Sequence, residues 1–152
     1  MAHSSPMTKQ ISTATSGTRR RAIRVHGLED ALRAGSIAHE LGVAITLFSA
    51  PDAVASMGPA WFRDIVRSLE HTYPDLDVEA VLDCGDAAGY ALAALRSGVK
   101  IIRFSGNPSA ARKIKDIAGT YGARLVGRPS RILDARGEQD TDVALRLWLG
   151  GK

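Results

Sequence analysis

The stretch Val78-Glu79-Ala80-Val81-Leu82-Asp83-Cys84-Gly85-Asp86-Ala87-Ala88-Gly89-Tyr90 constrains the fold more than any other part of the chain. It reads as a buried strand that ends on two carboxylates and a thiol, then passes directly into a helix. A parallel neighbour can be reached only through a crossover, and a helix following a strand at once supplies it. The same unit recurs on both sides. Apolar runs at residues 22–26, 43–49, 78–83, 99–105 and 123–126 read as strands. Leu28, Ala31, Leu32, Ala38 and Leu41 recur at helical spacing behind the first strand, with Glu29 and Asp30 in the first turn. Gly42 suits the residue after the helix end. Pro59 suits a first helical position, and Trp61, Phe62, Ile65, Val66 and Leu69 form one apolar stripe behind it.

Asp86 is the expected N-cap of a helix over 87–97, and Asn107 that of a helix beginning at Pro108. Residues 50–58 read as a loop and 127–140 as irregular. A last helix capped by Asp140 or Thr141 carries Val143, Ala144, Leu147 and Trp148. The expectation is one α/β domain over 22–152, of (βα)4β order plus a C-terminal helix. It would hold a parallel five-stranded sheet with helices on both faces, flavodoxin-like or Rossmann-like, or else half a barrel. The apolar C-terminal end needs cover. It either docks on the sheet or packs against a second subunit, and a homodimer is the expectation.

Charge narrows the partners. The formal charge of +4 comes entirely from Lys9, Arg19, Arg20 and Arg21, since residues 1–21 hold no acid. The body carries equal numbers of acids and bases, and aromatic residues are few, so a specific nucleic-acid surface is not expected. Residues 1–21 read as a disordered basic tail. No run is long and apolar enough for a membrane span. A single cysteine makes no internal disulfide and fits a reducing compartment, so a cytoplasmic location is expected. No CxxC set, GxGxxG turn or GxxxxGK[ST] loop occurs, and neither a metal nor a cofactor is expected.

In open parallel sheets, ligands bind off the carboxyl ends of the strands. The residues at those ends are His26, Ser49, Asp83, Cys84, Asp86, Ser105, Asn107 and Arg128. Asp83, Cys84 and His26 are the catalytic candidates. Ser49, Asp86, Ser105, Asn107 and Arg128 are the ligand-binding ones, for a small molecule. Asp83 stands out, because it closes an apolar strand and is not needed as a cap if Asp86 serves. With no complete catalytic constellation, the first expectation is a binding or regulatory domain. The alternative is a small lyase- or hydrolase-like enzyme.

A phospho-receiver domain would share the (βα)5 order, an aspartate at Asp83 and a hydroxyl at Ser105. It would also need an acidic pair after the first strand, where His26-Gly27-Leu28 stands, and that excludes it. Leu82-Asp83-Cys84-Gly85 resembles the Leu-Asp-His-Gly strand end of class II, zinc-dependent aldolases, and the resemblance runs on to Phe104-Ser105-Gly106. It implies Asp83 as proton donor, with Cys84 where that family has a zinc-binding histidine. The chain is too short for an eight-stranded barrel of ~250 residues, so the resemblance implies at most part of one. Gly58-Pro59-Ala60-Trp61-Phe62-Arg63 and Val81-Leu82-Asp83-Cys84-Gly85-Asp86 also resemble a family of small, alanine- and arginine-rich bacterial α/β proteins, which implies a fold and no chemistry.

Overall fold

The computed structural model describes residues 20–151. Most of the expected basic tail lies outside the described residues. Its last two members belong to the domain: Arg21 opens the first strand, and Arg20 pairs with Asp77 at 2.6 Å. Strand β1 spans Arg21–Val25, β2 Ile45–Ser49, β3 Val78–Asp83, β4 Ile101–Arg103, β5 Arg124–Leu125 and β6 Ile132–Asp134. Helices are α1 Leu28–Leu41, α2 Ala53–Met57, α3 Pro59–Thr72, α4 Ala88–Arg96, α5 Pro108–Thr120 and α6 Thr141–Gly150.

Local signals set most of these boundaries. Gly42 ends α1 in the left-handed conformation, φ 69°, which a side chain rarely adopts. Asn107 Oδ1 accepts the N–H of Ala110 at 2.8 Å and opens α5, and Asp140 opens α6 through Val143 N–H. Asp86 does not cap α4. Gly85, at φ 58°, turns the chain early, so that Ala87 becomes the N-cap residue without a side-chain bond, and Asp86 is exposed. The expected loop over 50–58 contains the short helix α2, with Val54 buried in the core.

The sheet has six strands, not five, in the order β5-β4-β3-β2-β1-β6, all parallel. The additional strand, β6, lies in the stretch expected to be irregular. Three residues between Pro129 and Gly137 are too few to show a period. From β5 to β1 the strands are consecutive neighbours, unlike the 2-1-3-4-5 order of flavodoxin-like sheets. With right-handed crossovers, a consecutive order puts every helix on one face. The helices form a matching row in which α5 meets α4, α4 meets α3, α3 meets α1, and α1 meets α6. Among the described residues, helices therefore lie on one face of the sheet and not on both.

Two apolar clusters fill the space between sheet and helices. One gathers Ile23, Val25, Ile45 and Leu47 with Leu69, Leu145 and Leu149. The other gathers Leu82, Cys84 and Ile102 with Phe62, Leu95 and Ile114. The opposite face carries a third cluster that contains no helix residue: Ala22, Phe48 and Val81, with Ile101, Val126 and Ile132 against them. Phe48 is 4% exposed and Val81 1% with no helix above them among the described residues, so the sheet covers itself.

The link from β5 to β6 agrees with this. Five strand spacings of about 4.8 Å separate the edges of a flat sheet by roughly 24 Å. Residues 126–131 would span that only if nearly fully extended, at about 3.6 Å per residue. A curled sheet brings the edges together, and Val126 and Ile132 pack into its concave side. The wall of a small, incomplete barrel results.

The C-terminal end docks back on the domain. Leu145 and Leu149 are buried, Trp148 Nε1 donates to the Ala22 carbonyl at 3.0 Å, and the guanidinium groups of Arg21 and Arg131 lie over the Trp148 ring. Val143 and Leu147 stay exposed on the outer side of α6. Among the described residues, no helix is long and apolar enough to cross a membrane.

Candidate site at the carboxyl ends of the concave face

Strand alternation decides which side chains reach the concave face. On β1 it presents Ala22 and Arg24, and His26 follows. On β3 it presents Val81 and Asp83, on β4 Ile101 and Arg103, and on β6 Ile132 and Asp134. The registers Val25↔Ser49, Phe48↔Val81 and Asp83↔Arg103 extend to place His26, Ala50, Asp83 and Arg103 along one level. Ala50 separates His26 from Asp83 by two strand spacings, about 9.6 Å. The side chain that stands between the histidine and the carboxylate is the methyl group of Ala50.

Asp83 is held from three sides. Its oxygens lie 3.0 and 3.2 Å from Arg103 Nη1, and Oδ1 accepts the Gly85 N–H at 3.0 Å. Its own N–H donates to Ser49 Oγ at 3.0 Å, and Ser49 in turn donates to the Ala50 carbonyl. Ser49 is fully buried and braces the end of β3. Cys84 N–H donates to the Arg103 carbonyl and Ser105 N–H to the Gly85 carbonyl, which extends the pairing of β3 and β4 past their ends.

A second group stands on β1 and β6. Arg24 is register partner to Asp134, and His26 Nε2 lies 2.6 Å from Asp134 Oδ1. Burial raises the Asp134 carboxyl, but the hydrogen bonds from His26 and the Arg136 N–H outweigh it. With the charges of His26 and Arg24, they hold it below the ordinary value of 3.8. The ionised carboxylate therefore accepts from His26 Nε2–H, which leaves Nδ1 as the ring nitrogen not engaged in this bond. Arg24 Nε is buried without a hydrogen-bond partner among the described residues. A donor in that position is poised for an oxyanion.

The lowered Asp134 value has a consequence for pH. A carboxyl depressed in the folded state stabilises it above the unfolded value near 3.8, and that contribution is lost as pH falls through the folded value. Asp134→Asn is therefore expected to flatten the acid limb of a stability-versus-pH curve below about pH 4. Chemical denaturation from pH 2 to 7 checks this, and identical acid limbs would refute it.

The remaining candidates disperse. Cys84 faces the helices, in the cluster with Leu82 and Ile102. Burial, then the neighbouring Asp83 charge, pushes its thiol up to about 12, so almost no thiolate exists at neutral pH. Asp86, Ser105 and Arg128 are exposed at the rim, and Asn107 is occupied as a cap. The site thus keeps His26 and Asp83 and adds Arg24, Arg103 and Asp134. Arg24 and Arg103 were visible as charged residues inside apolar runs, whereas Asp134 closes β6, in the stretch expected to be irregular. A zinc set of the kind the aldolase resemblance implies does not fit: among the described residues no three His, Cys, Asp or Glu side chains converge. Cys84, where a ligand would be needed, points away.

No family model matches the chain, and no curated protein does. Solved structures do. A protein assigned as a fructose-1,6-biphosphate aldolase, from Coccidioides immitis, matches over 74% of this chain and 47% of its own, with a TM-score of 0.62 and 14% identity. The YdjI aldolase of Escherichia coli K12 matches over 91% of this chain and 55% of its own, with a TM-score of 0.60 and 14% identity. The chain spans about half the length of these aldolases. The likeness is one of fold, and fold alone does not carry activity.

Proposed function

We propose that the chain is a lyase-like enzyme whose centre lies at the carboxyl ends of the concave face. The observation that supports it is the gathering there of His26, Asp83, Asp134, Arg24 and Arg103 on a parallel, barrel-like wall whose structural neighbours are aldolases. In barrels built this way, active sites occupy that end. The chemistry suited to these groups is proton transfer next to a carbonyl, with cleavage of a carbon–carbon bond. One of the pair His26 and Asp83 takes the proton of a hydroxyl as the bond breaks. The electron pair moves onto a carbonyl whose oxygen faces a guanidinium, and a proton then returns to carbon from the other member. Asp134 fixes the ring of His26. Cys84 has no part in it, because it lies behind the strand.

The test is hydrogen–deuterium exchange, followed by NMR in D2O, at the C–H bonds of dihydroxyacetone and pyruvate used as probes. Exchange above the buffer rate is expected, with losses of about 10²–10⁴-fold in His26→Asn and Asp83→Asn. Exchange at the buffer rate, or variants that match the parent, would sink the proposal.

A second reading is favoured by one observation: Asp83 is 2% exposed and both its oxygens are engaged. Asp83–Arg103 would then be a brace beneath a non-catalytic small-ligand site lined by His26 and Arg24. On that reading Asp83→Asn lowers the melting temperature and changes no exchange rate.

A further inference from the structure

We propose a second small-molecule site at the opposite end of the sheet, in the gap where β3 parts from β4, suited to a compact aromatic or short aliphatic carboxylate. Strand β3 begins at Val78, but only Leu82 and Asp83 find partners on β4. Its first four residues run unmatched on that side, while β4 keeps its pairing with β5. The turn from α4 into β4 cannot close the gap. Gly98, at φ 92°, swings the chain outward, and Arg63 from α3 is tied across the turn by its bond to the Ser97 carbonyl.

A cavity of about 250 Å³ occupies the opening. Its walls are apolar: Phe62 and Val66 from α3, Val78 and Ala80 from β3, Val99 and Ile101 from β4. The charged residues of the lining are Arg63, Arg67, Glu70, Glu79 and Lys100, and two of the five are already paired. Glu79 is paired with Arg124 at 2.7 Å, and Arg63 with Asp64. Lys100 spends one of its three donors on the Tyr121 carbonyl. Arg67 has no ion-pair or hydrogen-bond partner among the described residues. Against these two cations stands only Glu70, so the lining favours an anionic group on an apolar body. The volume lies below the usual drug-sized range of roughly 300–1,000 Å³, which limits the ligand to a small one. This site shares no residue with the one at the carboxyl ends.

The experiment titrates 4-phenylbutyrate into the full chain and follows backbone amide shifts. Saturable shifts at Phe62, Val66, Val99 and Lys100 are expected, with the amides of His26 and Asp83 unmoved. The charge-reversed pair Arg67→Glu and Lys100→Glu should weaken binding at least tenfold, and 4-phenylbutanamide should bind at least tenfold more weakly than the acid. Val66→Trp should fill the cavity and abolish binding. If that variant does not fold, the two surface reversals and the amide decide the matter alone. Shifts that do not saturate, shifts spread over the concave face, or equal affinity for acid and amide would overturn the proposal. Arg67→Glu should leave deuterium exchange at the other end unchanged, so this test stands whatever becomes of the catalytic reading.

Discussion

Arg103→Ala is expected to destabilise the domain by about 3–5 kcal/mol, the range seen when one partner of a buried ion pair is removed. The Asp83 side chain is 2% exposed and that of Arg103 20%, so solvent can do little for the carboxylate once its cation is gone. Among the described residues, only the Gly85 N–H would remain as a donor to it. A double replacement, Asp83→Leu with Arg103→Met, should recover most of the loss, because no unpaired charge is then left in the wall. Urea denaturation of the parent, the single variant and the double variant measures all of this. A cost under about 1 kcal/mol for Arg103→Ala would mean that the pair behaves like an exposed one, and that Asp83 is more open to ligands than the packing indicates.

The second large effect is expected at Phe48. Truncation of a buried phenylalanine to alanine costs about 3–5 kcal/mol through lost burial and the cavity left behind. Phe48 lies on the face without helices, at 4% exposure, against Val81 and Ala22. If the sheet were flat and that face open to water, the ring would be solvated before and after, and the loss would be small. A measured cost above about 3 kcal/mol therefore supports the curl of the sheet, and one below about 1 kcal/mol refutes it. Phe48→Leu, which keeps most of the volume, should lie between the two.

The strand–helix alternation was legible because each unit carries its own punctuation. Gly42, Pro59, Asn107 and Asp140 act within a few residues of the boundaries they set. The order of strands is different in kind. Nothing between Leu125 and Ile132 reveals that β6 returns to the side of β1, so the two-sided arrangement of helices was a fair expectation from the pattern and not the one adopted. Half of the site followed the same divide. His26 and Asp83 close strands and could be found at strand ends. Arg24, between Ile23 and Val25, and Arg103, between Ile102 and Phe104, sit inside apolar runs. A charged residue at an alternate position of a parallel strand marks a face that no helix covers, and that signal was present in the sequence. Cys84 shows the converse. Its neighbour Asp83 faces one way, so alternation sends the thiol the other, into the core.

The closure of β1 against the C-terminal segment bears on how such a chain is made. Arg21 donates to the Gly151 carbonyl, and the Trp148 indole reaches Ala22 across 126 positions of sequence. The strand partner on that side of β1, β6 at Ile132–Asp134, leaves the ribosome long after β1 does. At about 5–20 residues per second, the nascent sheet waits several seconds with an unpaired edge. During that interval it is open to pairing with another chain, and chaperone demand should fall on the nascent form more than on the finished one.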